Sequence, residues 1–174
     1  MLTKKKYARE SAVIMTEMVL PNDTNTLNNL MGGRLMHWMD IVSAIAAQKH
    51  SNSMVVTASV DNVSFGKPIQ LGNVVTLKAQ VTRAFNSSME IHIEVSAEDV
   101  PLGQKVESNR AFFTFVAVDK SGKPQAVPEV IPETEEEQEL YASALRRRQL
   151  RLVLAKRMKP DEATELKSIF KIEN

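Results

Sequence analysis

Residues 25–48 read NTLNNLMGGRLMHWMDIVSAIAAQ, and the rest of the predicted fold is arranged around them. A polar, turn-prone loop leads into the glycine pair Gly32-Gly33, and an almost wholly apolar run then continues to about Gln48. A helix that is apolar on every side is buried in a protein core, and this run is too short and too interrupted to span a membrane. The sequence therefore predicts a buried helix from about Gly33 to Lys49.

This apolar helix contains two side chains that can take part in chemistry, the carboxylate of Asp40 and the imidazole of His37. A carboxylate seldom enters apolar surroundings unless it is paired or takes part in chemistry. Paired glycines at a helix start let a ligand approach bare backbone N–H groups, where the helix dipole favours negative charge. An oxyanion site two turns from a carboxylate would suit attack on a carbonyl. On residue types alone, a simple turn followed by a structural or capping Asp40 stays open beside this hypothesis.

Composition limits the classes of function. The 174 residues suffice for one domain, and 43% hydrophobic and 25% charged residues are ordinary for a globular protein. A net charge of +1 and 5% aromatic residues argue against nucleic acid or an anionic membrane as partner. No cysteine is present, which excludes disulfides, thiolate nucleophiles and cysteine metal sites. The basic N-terminus is followed by no signal-type apolar core, so we expect an untargeted, cytoplasmic protein.

Alternation and turn residues predict several extended segments around the helix. In two of them apolar and polar residues alternate cleanly, and Asn86-Ser87-Ser88 between these two predicts an antiparallel hairpin. On this alternation His92 lies on the solvated side of its strand. The predicted segments are Ser11 to Leu20, Met54 to Phe65, Val74 to Phe85, Met89 to Ser96, and Lys105 to Val118.

The C-terminal part is expected to be helical. Val127 to Pro132 is interpreted as a proline-bracketed linker, and Thr134 as the N-cap of a second helix that runs to about Met158. This helix is acidic at its start and basic toward its end, which suits the helix dipole and predicts a solvated surface helix. Anion binding by the basic half is the alternative. Pro160 is expected to open a short last helix that ends at Phe170.

The order of these elements indicates the fold class. A strand, a buried helix, four strands that look antiparallel and a peripheral helix predict an α+β fold in which one curved antiparallel sheet wraps around the buried helix. We expect residues 1–159 to form a single domain that includes the peripheral C-terminal helix, and residues 160–174 to form a short tail.

Five segments, in order and with similar spacing, carry a family resemblance. The chain resembles the hotdog-fold acyl-CoA thioesterases, in particular the cytosolic acyl-CoA hydrolase group. The similarity extends from about Ser11 to Lys159, and the tail from Pro160 has no counterpart in it. The segments that carry it are Asn29 to Asp40, Val55 to Phe65, Ser88 to Ile91, Ala111 to Val116, and Val130 to Glu137.

The resemblance implies an assembly as well as a fold. In that family two protomers pair edge to edge, often in a trimer of dimers, and the active sites lie in the seam between them. The family's catalytic asparagine falls on Asn29 and its helical aspartate on Asp40, one from each protomer. Because this single domain keeps both residues, the resemblance implies a homodimer with two complete sites, and we expect three such dimers to form a hexamer.

The implied reaction is hydrolysis of acyl-CoA thioesters, with coenzyme A present only as part of the substrate and no separate cofactor. Gly33, and with it Gly32, would polarise the thioester carbonyl through backbone N–H groups. Asp40 would activate water or attack as a nucleophile, and Asn29 would orient the water or the thioester. His37 is expected to be a buried structural histidine. A metal site formed by His37, Asp40 and His50 lacks a supporting ligand cluster.

Coenzyme A brings phosphates, and four polar residues at strand ends are candidates to bind them: Lys67, Arg83, Ser87 and Ser88. Two other classes of function stay open. One is a hotdog dehydratase, which would want a catalytic histidine on the buried helix. The other is a non-catalytic acyl-CoA or nucleotide sensor, against which the presence of both Asn29 and Asp40 argues.

Overall fold

The computed structural model describes residues 5–61, 63 and 66–170, and the chain divides into two compact units, Met1–Ile131 and Pro132–Asn174. We call them the N-terminal and the C-terminal unit. The predicted division into a domain of residues 1–159 and a tail stays a prediction. The strands are β1 (Lys5–Tyr7), β2 (Val13–Met18), β3 (Met54–Asp61), β4 (Val74–Ala84), β5 (Ser88–Asp99), β6 (Gln104–Val118) and β7 (Glu129–Ile131), and the helices are α1 (Gly32–Ser51), α2 (Glu135–Leu154) and α3 (Thr164–Phe170).

Five antiparallel strands form the main sheet of the N-terminal unit, in the order β2-β4-β5-β6-β3. The predicted hairpin is confirmed, since Ala84 of β4 stands opposite Met89 of β5. The apolar members of the alternation in β4 and β5 are buried. These are Val75, Leu77, Ala79 and Val81 on β4, and Met89, Ile91, Ile93 and Val95 on β5.

Helix α1 packs on this sheet, but only one side of it is buried in a single protomer. Its opposite side is exposed at Gly33, His37, Ile41 and Ile45, which recur every four residues and so form one stripe. The prediction that His37 is a buried structural histidine is therefore wrong. A helix that is apolar on every side must be buried on every side, and the sheet of one protomer buries only one side of α1. The buried side consists of Leu35, Trp38, Met39, Val42, Ser43, Ala46, Ala47 and His50.

The prediction for His92 is also wrong. Its side chain is only 8% exposed, and its ring stacks on that of Phe112 in the neighbouring strand, with 5.0 Å between centroids. Glu90, on the same side of β5, is fully buried and accepts a hydrogen bond of 2.7 Å from Thr82 Oγ1. Alternation separates the two faces of a strand correctly, but it does not reveal whether the polar face is covered as well.

The supposed linker Val127 to Pro132 contains a strand. β7 pairs in parallel with β1 to form a second, two-stranded sheet, with Lys6 opposite Val130. Strands of three residues are too short to produce a readable alternation, and this is why neither was predicted. The predicted strand Met54 to Phe65 is confirmed as far as Asp61, and residues 62, 64 and 65 lie outside the described part of the chain.

In the C-terminal unit the predicted N-cap is confirmed. Thr134 Oγ1 accepts the N–H of Glu137 at 3.1 Å, and Glu137 Oε2 accepts the N–H of Thr134 at 3.2 Å, so the two residues form a capping box. Helix α2 ends at Leu154, earlier than predicted, and a turn leads through Pro160–Glu162 into α3. No helix in the described residues is long and apolar enough to cross a membrane.

Candidate active site

The loop before α1 is shaped by its own asparagines. Asn25 Oδ1 accepts hydrogen bonds from the backbone N–H groups of Leu27, at 2.9 Å, and Asn29, at 3.2 Å. Asn28 adopts the left-handed conformation, with φ of 57°, which asparagine tolerates better than most residues. The side-chain amide of Asn29 has no hydrogen-bond partner among the described residues, and the Asn25 nitrogen has none either. The loop therefore holds two amide N–H₂ groups ready for a ligand.

This loop is fixed to the rest of the N-terminal unit on both sides. Leu30 donates its N–H to Ile69 O at 2.7 Å, and Leu71 donates to Asn28 O at 2.9 Å. Asp23, only 2% exposed, accepts from Arg34 Nε of α1 at 2.6 Å and from the N–H of Leu20. A buried carboxylate paired in this way makes the entry into α1 rigid.

The first turn of α1 leaves backbone donors unused. Its N-cap, Met31, offers no capping side chain, and the N–H groups of Arg34 and Leu35 both donate to Met31 O. Among the described residues no group accepts the N–H of Gly32 or Gly33. A Cβ atom at Gly33 would meet nothing within 4 Å, so the space in front of these donors is open. Free N–H groups at a helix start attract negative charge.

A cavity of ≈ 340 Å³ lies at this helix start. It brings together three residues that the sequence selected, namely Asn29, Gly32 and Lys67, whereas Gly33 is exposed beside it. Its lining consists of Asn25, Asn29, Leu30, Gly32, Leu35, Gly66, Lys67, Pro68, Ile69 and Asn109.

Asp40 lies apart from this cavity. Two turns of helix separate it from Gly32, which corresponds to about 12 Å along the axis of α1. Its carboxylate is partly buried, and Oδ1 accepts a hydrogen bond of 2.7 Å from Thr57 Oγ1. Thr57 is exposed on β3, one of the two edge strands of the sheet. Sequence reasoning missed Thr57, because a threonine in a strand carries no signal of its own.

The four candidates for phosphate binding are not brought together. Lys67 lines the cavity, but Arg83, Ser87 and Ser88 lie at the far end of β4, an 11-residue strand about 35 Å long. The Arg83 guanidinium lies 5.6 Å from the centroid of the Phe85 ring. The Ser88 carbonyl accepts the N–H of Phe85 across the turn at 2.8 Å, and the Ser87 carbonyl accepts the N–H of Ala117 of β6 at 2.9 Å.

The described residues contain no group of three or more acidic or histidine side chains placed to hold a metal ion. His50 is fully buried at the end of α1, where its Nε2 lies 2.8 Å from Pro128 O. Burial lowers the pKa of His50 below its usual value, the nearby charge of Lys6 lowers it further, and the Pro128 hydrogen bond partly opposes both. Its role is thus to fix the end of the helix.

Sequence comparison identifies the family. The profile of the thioesterase superfamily matches residues 27–104, which include the glycine pair, Asp40 and Thr57. A Bacillus subtilis protein named as an uncharacterized acyl-CoA thioester hydrolase is 43% identical over 142 residues, which cover 82% of this chain and 83% of that protein. The chain belongs to the thioesterase superfamily.

Solved structures confirm the hotdog fold of this thioesterase. A hexameric acyl-CoA thioesterase without ligand is similar, with a TM-score of 0.84 and 39% identity over 87% of this chain and 97% of the other. The acyl-CoA hydrolase of Staphylococcus aureus, in complex with butyryl coenzyme A and coenzyme A, has a TM-score of 0.80 and 38% identity, covering 87% of this thioesterase and 94% of that chain. Three further structures of the S. aureus enzyme carry alanine in place of one asparagine, one aspartate or one threonine.

Proposed function

We propose that this thioesterase hydrolyses acyl-CoA to a carboxylic acid and coenzyme A at sites that are shared between two protomers. The acyl-CoA hydrolases among its relatives support the substrate. The main support for a shared site is a distance. The free N–H groups at Gly32 and the carboxylate of Asp40 lie about 12 Å apart along α1. One thioester cannot contact both in a single protomer, whereas the Asp40 of a second protomer can face the first protomer's cavity.

The reaction follows from these groups. The thioester oxygen accepts hydrogen bonds from the N–H groups of Gly32 and Gly33, which stabilise the negative charge of the tetrahedral intermediate by ~3 kcal/mol per donor. Asp40 takes a proton from the attacking water as the new C–O bond forms. The C–S bond then breaks, and the coenzyme A sulfur leaves with that proton. Thr57 holds Oδ1 of Asp40, which leaves Oδ2 free to accept from the water.

The surface that joins the two protomers is proposed to be the exposed side of α1 together with the neighbouring edge strand β3. Ile41 and Ile45 on α1 are 37% and 40% exposed, and Met54 and Val56 on β3 are 49% and 50% exposed. An apolar patch beside an unpaired strand edge favours a partner, and a second copy pairing about a two-fold axis would complete two sites at once. The hexameric relatives support a further step to a trimer of such dimers.

The spacing of residues replaced in a relative supports one asparagine of the loop for this site. In the S. aureus enzyme, the replaced asparagine precedes the replaced aspartate by the same interval that separates Asn25 from Asp40 in this chain. The replaced threonine follows that aspartate by the same interval that separates Asp40 from Thr57. We therefore propose that Asn25 acts with Asp40 and Thr57. Asn29, to which the resemblance gave this role, lines the same cavity and is the alternative to be tested.

Coenzyme A would approach along the Lys67 side of the cavity, where the ammonium group can bind a phosphate. Arg83, Ser87 and Ser88 stay predictions, because they would reach the same molecule only from another protomer. A cytoplasmic location also stays a prediction.

The deciding experiment measures thiol release from a panel of acyl-CoAs by the wild-type protein and by Asp40→Asn. We expect hydrolysis by the wild type and a loss of about 100-fold or more in kcat for the variant, since a general base is removed while its size is kept. Binding of acyl-CoA without thiol release would instead identify a sensor. Conversion of a 3-hydroxyacyl-CoA to an unsaturated product would identify a dehydratase.

A further inference from the structure

The C-terminal unit concentrates positive charge at one end. Between Leu145 and Lys159 every charged side chain is basic, while acidic residues are confined to the segments before and after it. The seven basic residues are Arg146, Arg147, Arg148, Arg151, Lys156, Arg157 and Lys159. For a chain with a net charge of +1, this is a strong local field.

Three of these residues surround a cavity. Lys156, Arg157 and Lys159 are exposed and line a space of ≈ 530 Å³ together with Val153, Met158, Pro160 and Glu162. Within the described part of the chain, the side chains of these three residues have neither an ion pair nor a hydrogen bond. The carboxylate of Glu162 already accepts the backbone N–H of Lys159 at 3.0 Å. The lining therefore carries three cations against one carboxylate, and positive charge is in excess.

The backbone supports a functional interpretation. Lys156 follows the end of α2 in the left-handed conformation, with φ of 56°, and donates its N–H to Val153 O at 2.9 Å. Glycine is strongly preferred at this position of a helix end, because a Cβ atom is unfavourable there. A lysine at this position accepts backbone strain and contributes an ammonium group to the cavity.

Charges behind the cavity repel one another. Burial lowers the pKa of the Arg148 guanidinium, and the positive charges of Arg151 and Arg157 lower it further. The dipole of α2 favours cations within its last turn, but Lys159 lies well beyond Leu154, where this effect has faded. An anion in the cavity would relieve the repulsion that the helix end leaves uncompensated.

We propose that the cavity formed by Lys156, Arg157 and Lys159 binds the phosphate groups of a ligand. Arginine and lysine are the side chains that suit phosphate oxygens, and three of them around one open depression suit a compact diphosphate better than an extended polymer. Two sources offer this chemistry, a dissolved phosphate compound and the headgroup of an anionic lipid. We include the lipid headgroup because the apolar side chain of Leu154, beside the cavity, is 75% exposed. The site does not depend on the proposed hydrolysis.

The first test is a calorimetric titration of the full-length protein with inorganic pyrophosphate. We expect saturable binding that weakens as the concentration of NaCl rises. Arg157→Ala should raise the dissociation constant about two- to fivefold, the range of a single exposed ion pair. Lys120→Ala, which removes an exposed lysine of the N-terminal unit, is the matched control and should bind like the wild type.

Lys156→Gly separates a structural role from a binding role. Because glycine suits the left-handed conformation, this variant should raise the midpoint of thermal unfolding by about 2 °C while it weakens pyrophosphate binding. A lysine with only a structural role would not give this opposite pair of changes. Since the fold gains stability, a loss of binding cannot be attributed to unfolding.

Vesicle binding distinguishes a dissolved phosphate compound from the headgroup of an anionic lipid. We compare co-sedimentation of the protein with phosphatidylcholine vesicles and with vesicles that also contain phosphatidylglycerol. Pyrophosphate binding without vesicle binding identifies a dissolved ligand, and binding only to phosphatidylglycerol vesicles identifies a lipid headgroup, provided that Arg157→Ala and Lys156→Gly weaken it. The proposal is overturned if neither probe binds, or if both variants bind like the wild type. Acyl-CoA hydrolysis, measured in parallel, reports on the active site separately.

Discussion

Asp40 has a single hydrogen-bond donor to orient its carboxylate within the described protomer, the hydroxyl of Thr57 at 2.7 Å. Thr57→Val keeps the shape of the side chain and removes this donor. We expect kcat to fall about tenfold, because Asp40 loses the bond that orients it toward water, while KM changes little. The measurement is steady-state thiol release. Thr16→Val, on the exposed side of β2, is the control and should retain wild-type kinetics. An equal loss in both variants would refute the role of Thr57.

The choice between Asn25 and Asn29 calls for a matched set of variants. We expect Asn25→Ala to lower kcat by about 100-fold and Asn29→Ala by less than about threefold, because only Asn25 has the spacing of the S. aureus site. Asn25→Asp tests whether the effect is chemical, since an aspartate oxygen can still accept from Leu27 and Asn29. A large loss in Asn25→Asp with unchanged circular dichroism would assign the role to the amide donor. The opposite ranking of the two alanine variants would return it to Asn29.

At the level of residues, the sequence pointed to candidate site residues that are unusual in their local sequence. Asp40 and the glycine pair were selected because a carboxylate in an apolar helix and two glycines at its start are unusual. Asn25 and Thr57 were passed over, because an asparagine in a turn and a threonine in a strand are among the commonest residues for those positions. The roles proposed for them rest on the spacing of the replaced residues in the S. aureus enzyme and, for Thr57, on its hydrogen bond to Asp40, and local patterns contain neither.

Helix α1 is held at its end by His50, whose imidazole is buried against Pro128. Since burial lowers the pKa of His50 in the folded state, the unfolded chain binds this proton more readily. His50 therefore destabilises the fold as the pH falls below the unfolded value of 6.5, and this loss is absent at higher pH. We expect the urea midpoint to decrease between pH 7.5 and pH 5.

Two variants test whether His50 causes this pH dependence of the urea midpoint. His50→Gln offers an amide N–H to Pro128 without titrating, and it should flatten the decrease. Lys120→Gln, at an exposed position outside α1, should leave the decrease as it is in the wild type. If both variants lose stability on acidification as steeply as the wild type, other groups determine the effect.

Long, periodic elements could be predicted, and short ones could not. α1 and the hairpin of β4 and β5 extend over many residues, so that one or two misleading positions did not obscure the pattern. β1 and β7 have three residues each and are stabilised by each other from opposite ends of the N-terminal unit. No local propensity encodes such a pairing.

The whole molecule is expected to be an oligomer through the exposed side of α1 and the edge of β3. Ile45→Glu places a charge in the centre of this surface and should give a monomer in light scattering. Activity should be lost with it, because each site needs both protomers. Leu102→Glu, in the exposed turn between β5 and β6, is the control and should leave both properties unchanged. A monomer with full activity would rule out the shared site.

Protomer exchange gives the strictest test of sharing. Asp40→Ala and Asn25→Ala should each be nearly inactive alone, and mixing them with exchange of protomers should restore activity. In a mixed dimer one seam carries both changes and the other carries neither. With random assortment half of the dimers are mixed, so the ceiling is about a quarter of wild-type activity. Failure to recover despite proven exchange would place both residues in one protomer's site.

The assembly was predicted from the family resemblance, and the structure of a single protomer adds a physical reason for it. His37, Ile41 and Ile45 form an exposed stripe on a helix whose composition is that of a buried one. The composition of α1 is that of a helix buried on all sides, as it would be in an assembly. In a single protomer one side is exposed, and this is why the prediction that His37 is buried was wrong.

The small sheet of β1 and β7 has a consequence for the order of events during synthesis. β1 is synthesised before the main sheet, but its only strand partner in the described chain, β7, is made after nearly the whole N-terminal unit. Closing so long a loop has a large entropic cost, so this pairing forms after the main sheet has assembled. Until then the nascent chain carries β1 as a basic strand without its partner, open to chaperones and proteases.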